Sequence, residues 1–323
     1  MTQALVALRN AVKPSLAQLE AGDVVLVAVS GGADSLALAY AVLKEATPLA
    51  ITPVAITIDH QLQENSAVQA EKVSEQLKEM GYVNVLIEKV VVSTESGLEA
   101  GARTARYQAL NSSAEKEGAV KIFLGHTRDD QAETVLLGLA RGSGARSLSG
   151  MATENGKYLR PFLQVTRQET EEACQELGLE IWNDPHNFNA DFTRVKVRHE
   201  ILPLMESKLG PGISAALART AGLLRDDADA LDGLAAAEIS HLNLTDIDCE
   251  YLTALPRALR TRVLRTAIYA CGAPEGSITS DHVAAAEALV TSWRGQGPLS
   301  LPGGVKVERI SGRLSLLAQP TRP

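Results

Sequence analysis

The stretch that most limits what this chain can become is Val24 to Leu43, VVLVAVSGGADSLALAYAVL. Its first six residues, Val24 to Val29, are apolar without interruption, which suits a strand buried on both faces. Ser30-Gly31-Gly32-Ala33-Asp34-Ser35 follows, and then an Ala/Leu-rich stretch of strong helix propensity. Strand, glycine turn and helix start together present backbone N–H groups and a helix N-terminus to an anion. Gly31 and Gly32 permit positive φ and close approach of the backbone. Ser30 and Ser35 add hydroxyl donors. Asp34 is the informative residue, because a carboxylate inside a phosphate cradle repels phosphate unless a cation such as Mg²⁺ lies between them. The alternative is an ordinary βα turn whose Asp or Ser caps the helix. A Ser/Gly/Gly/Asp/Ser cluster exceeds what a cap requires.

The chain has 323 residues, enough for two domains. Aromatic residues are only 4%, so Val, Leu, Ile and Ala must supply most of the core. Cys174, Cys249 and Cys271 are odd in number and far apart, which suits a reducing compartment and makes no zinc or iron–sulfur pattern. No apolar run reaches the roughly 18 residues of a membrane span. No apolar h-region follows Met1, so a cytoplasmic location is expected. A net charge of −8 argues weakly against nucleic acid, but the charge is segregated. Arg194 to Arg225 holds six Lys/Arg against two acids, Asp226 to Glu250 holds eight acids and no Lys/Arg, and Arg257, Arg260, Arg262 and Arg265 follow without an acid among them. Such blocks permit a basic face on an acidic protein; solvated helix faces of alternating sign are the plainer explanation.

Residues 1 to 20 read as an amphipathic helix that Pro14 breaks or restarts. Strands are expected at Ile51–Ile58, Val83–Val92 and Lys121–Gly125, and helices at Glu64–Met80, Gly97–Glu117 and Asp129–Leu139. This alternation implies an α/β, doubly wound parallel sheet, whose ligands gather at the carboxyl ends of the strands. Ser30–Ser35, Asp59-His60 and Gly125-His126 fall at three such ends and should converge on one crevice. Asp59 also suits a plain strand-end turn. In the helix after Gly97, Arg103 and Arg106 share a face, and Glu99 pairs with Arg103 at i, i+4. His126, Asp130 and Glu133 share a face if the next helix reaches back to His126. Two carboxylates beside a crevice suit a cationic substrate group or Mg²⁺; alternatively Asp129 caps the helix and Glu133 completes the capping contact.

Arg141-Gly142-Ser143-Gly144-Ala145-Arg146 is a basic glycine loop, either a linker or a flap over phosphate or RNA backbone. A helix from about Thr166 to Leu177 precedes a turn-rich loop with Trp182, Asn183, Asp184, Pro185 and Asn187. Phe192 to His199 then alternates basic residues. Residues 213 to 240 read as a connector helix, and further helices and two short strands, 305–309 and 314–317, complete the chain. The expected division is 1–212 for the sheet domain and 213–323 for a connector helix plus a smaller, mainly helical domain.

SGGxDS after a first strand resembles the PP-loop of ATP pyrophosphatases, which split ATP into AMP and pyrophosphate while adenylating a substrate. No Lys follows the glycines as in a G-x-x-x-x-G-K-[ST] loop, and the spacing is not that of the dinucleotide fingerprint. Further motifs resemble one branch of that superfamily, tRNA(Ile)-lysidine synthetase, from about residue 22 to 203. They are VAVSGGADS, the strand-end IDH, E-x3-R-x2-RY from Glu99 to Tyr107, LGHTRDDQAETVL at 124–136, RGSG at 141–144, RP at 160–161 and the DP…N…R…R…LP run from Asp184 to Pro203.

The resemblance implies an adenine-nucleotide α-hydrolase-like fold. It implies that ATP with Mg²⁺ adenylates C2 of the wobble cytidine of tRNA(Ile) bearing a CAU anticodon. Free L-lysine then displaces AMP to give lysidine. On this basis Ser30, Gly31, Gly32, Ala33, Asp34 and Ser35 hold the phosphates, with Asp34 at the metal, and Asp59 and His60 lie beside the nucleotide. Asp130 and Glu133 take the lysine ammonium or metal, Arg106 and His126 orient or stabilise charge, and Arg194, Lys196 and Arg198 meet RNA backbone. There are departures. Val195 stands where relatives carry Asn, the QLQENS loop after His60 is less basic than expected, and the C-terminal region has room for one added domain of about 100 residues. A tRNA-thiolating relative, a synthetase acting without RNA and a non-catalytic nucleotide-binding module are the competing assignments. Oligomeric state is left open, a homodimer being one arrangement the sequence allows.

Overall fold

The computed structural model describes residues 2–63, 65–93, 97–142, 144–182, 193–274 and 276–318, with the side chain of Glu99 left aside. Ser143 of the glycine loop and Asn183, Asp184, Pro185, Asn187 and Phe192 lie outside the described residues. The chain divides into two compact units, residues 1–143 with 147–222, and 144–146 with 223–323.

The first unit opens with α1 (Gln3–Leu16), which runs through Pro14 and ends two residues later. Then come β1 (Val24–Ala28), α2 (Ala33–Ala46), β2 (Thr52–Asp59), α3 (Ser66–Met80), β3 (Val85–Lys89), α4 (Leu98–Glu117), β4 (Ala119–Phe123) and α5 (Arg128–Ala140). A short helix α6 (Ala145–Leu148) precedes a two-residue antiparallel hairpin, β5 (Glu154–Asn155) and β6 (Tyr158–Leu159). After it lie α7 (Arg167–Glu176), α8 (Thr193–Lys196), a π-helical turn Val197–Ile201 and α9 (Leu202–Leu209). The strand order is β3-β2-β1-β4-β6-β5, parallel except for the β5–β6 edge, a hairpin too short to be seen in the sequence pattern. β1 has β2 on one side and β4 on the other, so the strand order reverses there and leaves a crevice at the carboxyl ends of β1 and β4.

The six-residue apolar run is buried on both sides, as an all-parallel centre requires. Val25, Val27 and Val29 enter one core with α1, α2 and Cys174 of α7, while Leu26 enters the other with Leu110 and Ala114 of α4.

α10 (Ile213–Ile239) crosses the division between the units. The second unit continues with β7 (Asp246–Asp248), α11 (Cys249–Ala254), α12 (Arg257–Ala270), α13 (Ser280–Thr291), β8 (Leu299–Leu301), β9 (Val305–Ile310) and β10 (Arg313–Ala318). The smaller domain thus also carries a four-stranded antiparallel sheet, β7-β10-β9-β8, against helices. Within it Glu287 is buried at 7% exposure and takes Arg260 through two nitrogens at 3.0 and 2.9 Å and Arg257 at 3.0 Å. Part of the Arg257–Arg265 run is therefore structural.

Removing one partner of a buried ion pair leaves the other charge uncompensated, at a cost of about 3 kcal/mol or more. Glu287→Ala is expected to lower the urea midpoint of the full chain accordingly; an unchanged midpoint would deny this pair a structural role.

Candidate active site

The turn after β1 is shaped by its own side chains. The Ser30 amide donates to Ser35 Oγ at 3.1 Å, and the Ser35 hydroxyl donates to the Gly32 carbonyl at 2.9 Å. Ser35 is buried and engaged, which leaves exposed Ser30 as the outward hydroxyl. Gly31 has φ +88°, and a Cβ there would meet Val73 Cγ2 at 2.7 Å. Gly32 is the N-cap of α2, whose first amides have no partner within the helix and point out of its N-terminus. A second glycine closes the site. A Cβ on Gly125 would lie 2.9 Å from the Asp34 carbonyl oxygen, so only glycine lets the end of β4 reach the loop.

Beside this loop, Ser30, Asp59, His60, Gln69, Val73 and Trp182 line a cavity of about 120 Å³. One Asp59 oxygen accepts the Gln61 amide at 2.9 Å, so Asp59 does form the strand-end turn as well as lining the cavity. Trp182 donates its backbone N–H to the Gly31 carbonyl at 2.9 Å and closes the cavity beside the glycine turn.

Across the crevice α5 starts at Arg128 with Thr127 as N-cap, so His126 precedes the helix rather than sharing its face. Asp130, not Glu133, completes the capping box: its Oδ2 accepts the Thr127 amide at 2.8 Å and the Thr127 hydroxyl at 3.1 Å. Asp129 caps a neighbouring helix, accepting the Arg167 amide of α7 at 2.9 Å. Asp130 also takes Arg198 at 3.1 Å and Arg167 at 3.2 Å on Oδ1. Glu133 is fully buried and is gripped by Arg198, Nε to Oε1 at 2.6 Å and Nη2 to Oε2 at 3.0 Å, with Arg194 Nε at 3.5 Å. Arg194 also donates to Thr134 Oγ1 at 3.0 Å. Arg194 and Arg198, expected at RNA backbone, have their guanidiniums turned to Glu133 and, for Arg198, to Asp130. Lys196 is exposed.

Asp34 completes the arrangement. Thr170 Oγ1 lies 2.5 Å from its Oδ1, and Arg167 Nε lies 3.7 Å from its Oδ2. Burial first and the charge of Asp130 second push its pKa up to about 6, against the pull of Arg167, Thr170 and Arg198. Burial would raise Asp130 as well, but Arg167, the Thr127 amide and Arg198 outweigh it and hold Asp130 ionised. The partly balanced charge at Asp34 suits a divalent cation shared with phosphate oxygens. Among the described residues no three His, Cys, Asp or Glu side chains gather into an all-protein metal cage. Mg²⁺ would then be held by Asp34 and the phosphates of a bound nucleotide.

A basic and aromatic wall stands beside His126. Arg103 and Arg106 of α4 lie over the Tyr107 ring, 4.9 and 5.6 Å from its centroid, and Tyr107 meets Tyr158 edge to face at 4.9 Å. Among the described residues the buried Nδ1 of His126 and Nε of Arg106 and Arg160 have no hydrogen-bond partner. Burial, then Arg106, Arg160 and Arg103, lower the His126 pKa against the attraction of Asp130, so the ring is neutral and able to accept a hydrogen bond. Arg160, Arg167, Thr170 and Trp182 were not named from the sequence as site residues. For Arg167 a signal existed: an arginine in the first turn of a helix opposes the macrodipole and needs acids nearby.

In the ligand-free protein, the Asp34 carboxyl is expected to titrate near pH 6 by ¹³C NMR, and Asp130→Asn to move that midpoint down. Because the folded pKa exceeds the ordinary 3.8, this group stabilises the fold fully below that value and loses the contribution as pH rises through about 6. A midpoint unmoved by Asp130→Asn would rule out carboxylate repulsion.

Comparison with known proteins identifies the domains. Residues 5–205 match the PP-loop domain model and residues 247–315 the TilS substrate binding domain model. The tRNA(Ile)-lysidine synthase of Thermobifida fusca is 52% identical over 312 residues, covering 96% of each chain. That of Streptomyces coelicolor is 51% identical over 301 residues, covering 92% of this chain and 86% of the relative. A solved U34-tRNA thiolase, NcsA from Methanococcus maripaludis, aligns with a TM-score of 0.58 at 18% identity over 69% of this chain and 80% of that one, a likeness of fold alone. With the crevice at the ends of β1 and β4 and near-full-length identity of this order, the chain belongs to the tRNA(Ile)-lysidine synthase family of PP-loop proteins.

Proposed function

We propose that this protein joins free lysine to C2 of the wobble cytidine in tRNA(Ile) bearing a CAU anticodon, with ATP converted to AMP and pyrophosphate. One observation carries the reading: Arg167 lies 3.7 Å from Asp34 of the Ser30–Ser35 loop and 3.2 and 3.6 Å from Asp130 and Glu133, a neighbourhood that would bring an adenylating centre and an ammonium-binding centre together.

The chemistry follows from the groups present. The cytidine C2 oxygen is a poor leaving group until it carries AMP. The amides of Gly31–Asp34 and the α2 N-terminus favour the developing charge on pyrophosphate, a preorganised electrostatic role. Mg²⁺ bound at Asp34 would screen that carboxylate from the phosphates. Asp59, His60 and Trp182 line the cavity assigned to the nucleoside. Neutral His126 and Arg106 would orient the cytidine, His126 as an acceptor and Arg106 as a donor beside the Tyr107 ring. Asp130 and Glu133 would hold the lysine ammonium, with Arg198 bonded to both acids and Arg194 beside Glu133. Lys196 remains the assigned backbone contact, residues 1–212 the catalytic domain and 213–323 the connector and tRNA-binding region. A cytoplasmic location fits a tRNA substrate; among the described residues no helix is long and apolar enough to cross a membrane.

The thiolating alternative is not favoured. Cys174, Cys249 and Cys271 are all buried, and burial pushes the Cys174 thiol up to about 12, where no thiolate is available for sulfur transfer.

Incorporation of labelled lysine into tRNA(Ile) with a CAU anticodon is expected to require ATP. ATP consumed on tRNA without labelling would overturn lysine as the nucleophile. Asp34→Ala should slow adenylation by about 100-fold or more, and undiminished pyrophosphate release would remove Asp34 from the metal position.

A further inference from the structure

Each oxygen of the acids assigned to the lysine ammonium already carries a donor. Asp130 Oδ2 is taken by the Thr127 amide and hydroxyl, and Oδ1 by Arg198 at 3.1 Å and Arg167 at 3.2 Å. Both Glu133 oxygens carry Arg198, at 2.6 and 3.0 Å. Glu133 is fully buried and Asp130 nearly so, and an arriving ammonium reaches them in the place of a cation already there. Three guanidiniums stand at these acids and are not held alike: Arg194 bonds Thr134 and lies 3.5 Å from Glu133, and among the described residues it pairs with neither Asp130 nor Asp34. Arg198 grips Glu133 as a two-pronged fork and adds a third bond to Asp130, the strongest ion-pair geometry available to arginine. Among the described residues the Arg167 side chain has one hydrogen bond, to Asp130, and two looser ion pairs, 3.6 Å to Glu133 and 3.7 Å to Asp34. Its side chain is about a quarter exposed. Its backbone is fixed, because the amide is capped by Asp129 and Thr166 and Glu169 form a capping box at the start of α7. The guanidinium can leave while the helix stays.

We infer that Arg167 is a placeholder cation and positioning residue. It bridges Asp34 to Asp130 and Glu133 when no amine is bound, and it yields the latter two to the substrate ammonium while keeping its hold on the Asp34 side. Nucleotide phosphates beside Asp34 give the displaced guanidinium a new partner. Amine binding is thus tightened by nucleotide, and Arg167 transmits the coupling between the two halves of the crevice. The inference rests on lysine being the nucleophile.

The test is equilibrium dialysis of labelled lysine against the full chain, with and without a non-hydrolysable ATP analogue plus Mg²⁺, for wild type, Arg167→Met and Arg167→Lys. Met keeps the length of the stem without the charge. Arg167→Met is expected to bind lysine about fivefold tighter than wild type without nucleotide, the size of one partly exposed ion pair. It should lose the tightening by the analogue, and kcat should fall as Asp34 loses its bridge. Arg167→Lys should restore the dependence on nucleotide, which loss of packing alone would not produce. Lysine affinity in folded Arg167→Met equal to or weaker than wild type would overturn the placeholder role and leave the lysine reading standing. Wild type that binds no lysine in either condition would overturn both.

Discussion

Asp34, Asp130 and Glu133 are carboxyl side chains gathered at the end of a parallel sheet, and the crevice depends on holding them together there. Like charges repel more strongly in the protein's lower dielectric than in water. Desolvation adds to that repulsion, most severely for fully buried Glu133. Arg167, Arg194 and Arg198 supply the compensation, and each comes from a segment distant in sequence from the loop and from α5. Compensation is uneven. Asp130 is held ionised by several donors, whereas Asp34 keeps part of its penalty and its pKa rises. The residue left short of cationic partners is the one that faces the phosphate loop, where a nucleotide would bring its own cation.

Backbone geometry places those charges. The strand order reverses at β1, so the ends of β1 and β4 open onto the same space. Gly125 lets the β4 end come against Asp34, and Gly31 lets the loop pass Val73 and receive the Trp182 amide. α7 forms the other wall. Arg167, Thr170 and Cys174 lie at successive turns of one face, touching Asp34 twice and then the Ala33 carbonyl through Cys174 Sγ at 3.4 Å. One helix thus fixes both the carboxylate and the start of α2.

Much of this was legible beforehand. The apolar run at Val24–Val29, the SGGADS turn and the alternation of strands with helices predicted the parallel sheet and the crevice, because burial on both faces and period-3.6 patterning are local properties. Element ends moved by a few residues, as they do where caps decide them; Thr127 and Asp130 set the start of α5 and thereby put His126 outside it. Less legible were the β5–β6 hairpin and the antiparallel sheet of the second unit, whose strands are short and carry weak alternation.

Residue types and their spacing offered a phosphate cradle with an acid in it, two acids one helical turn apart, and basic residues in the run 194–198; the resemblance of these motifs to the PP-loop family implied the reaction class. Which base met which acid was decided only by the tertiary structure. Arg194 and Arg198, readable as an RNA-facing pair, turn inward, and Arg167, with no motif of its own, stands between the two halves of the site. The physical reason is that a charge is local in sequence whereas its neutralisation is not. A buried carboxylate binds whichever guanidinium the packing of helices brings within reach.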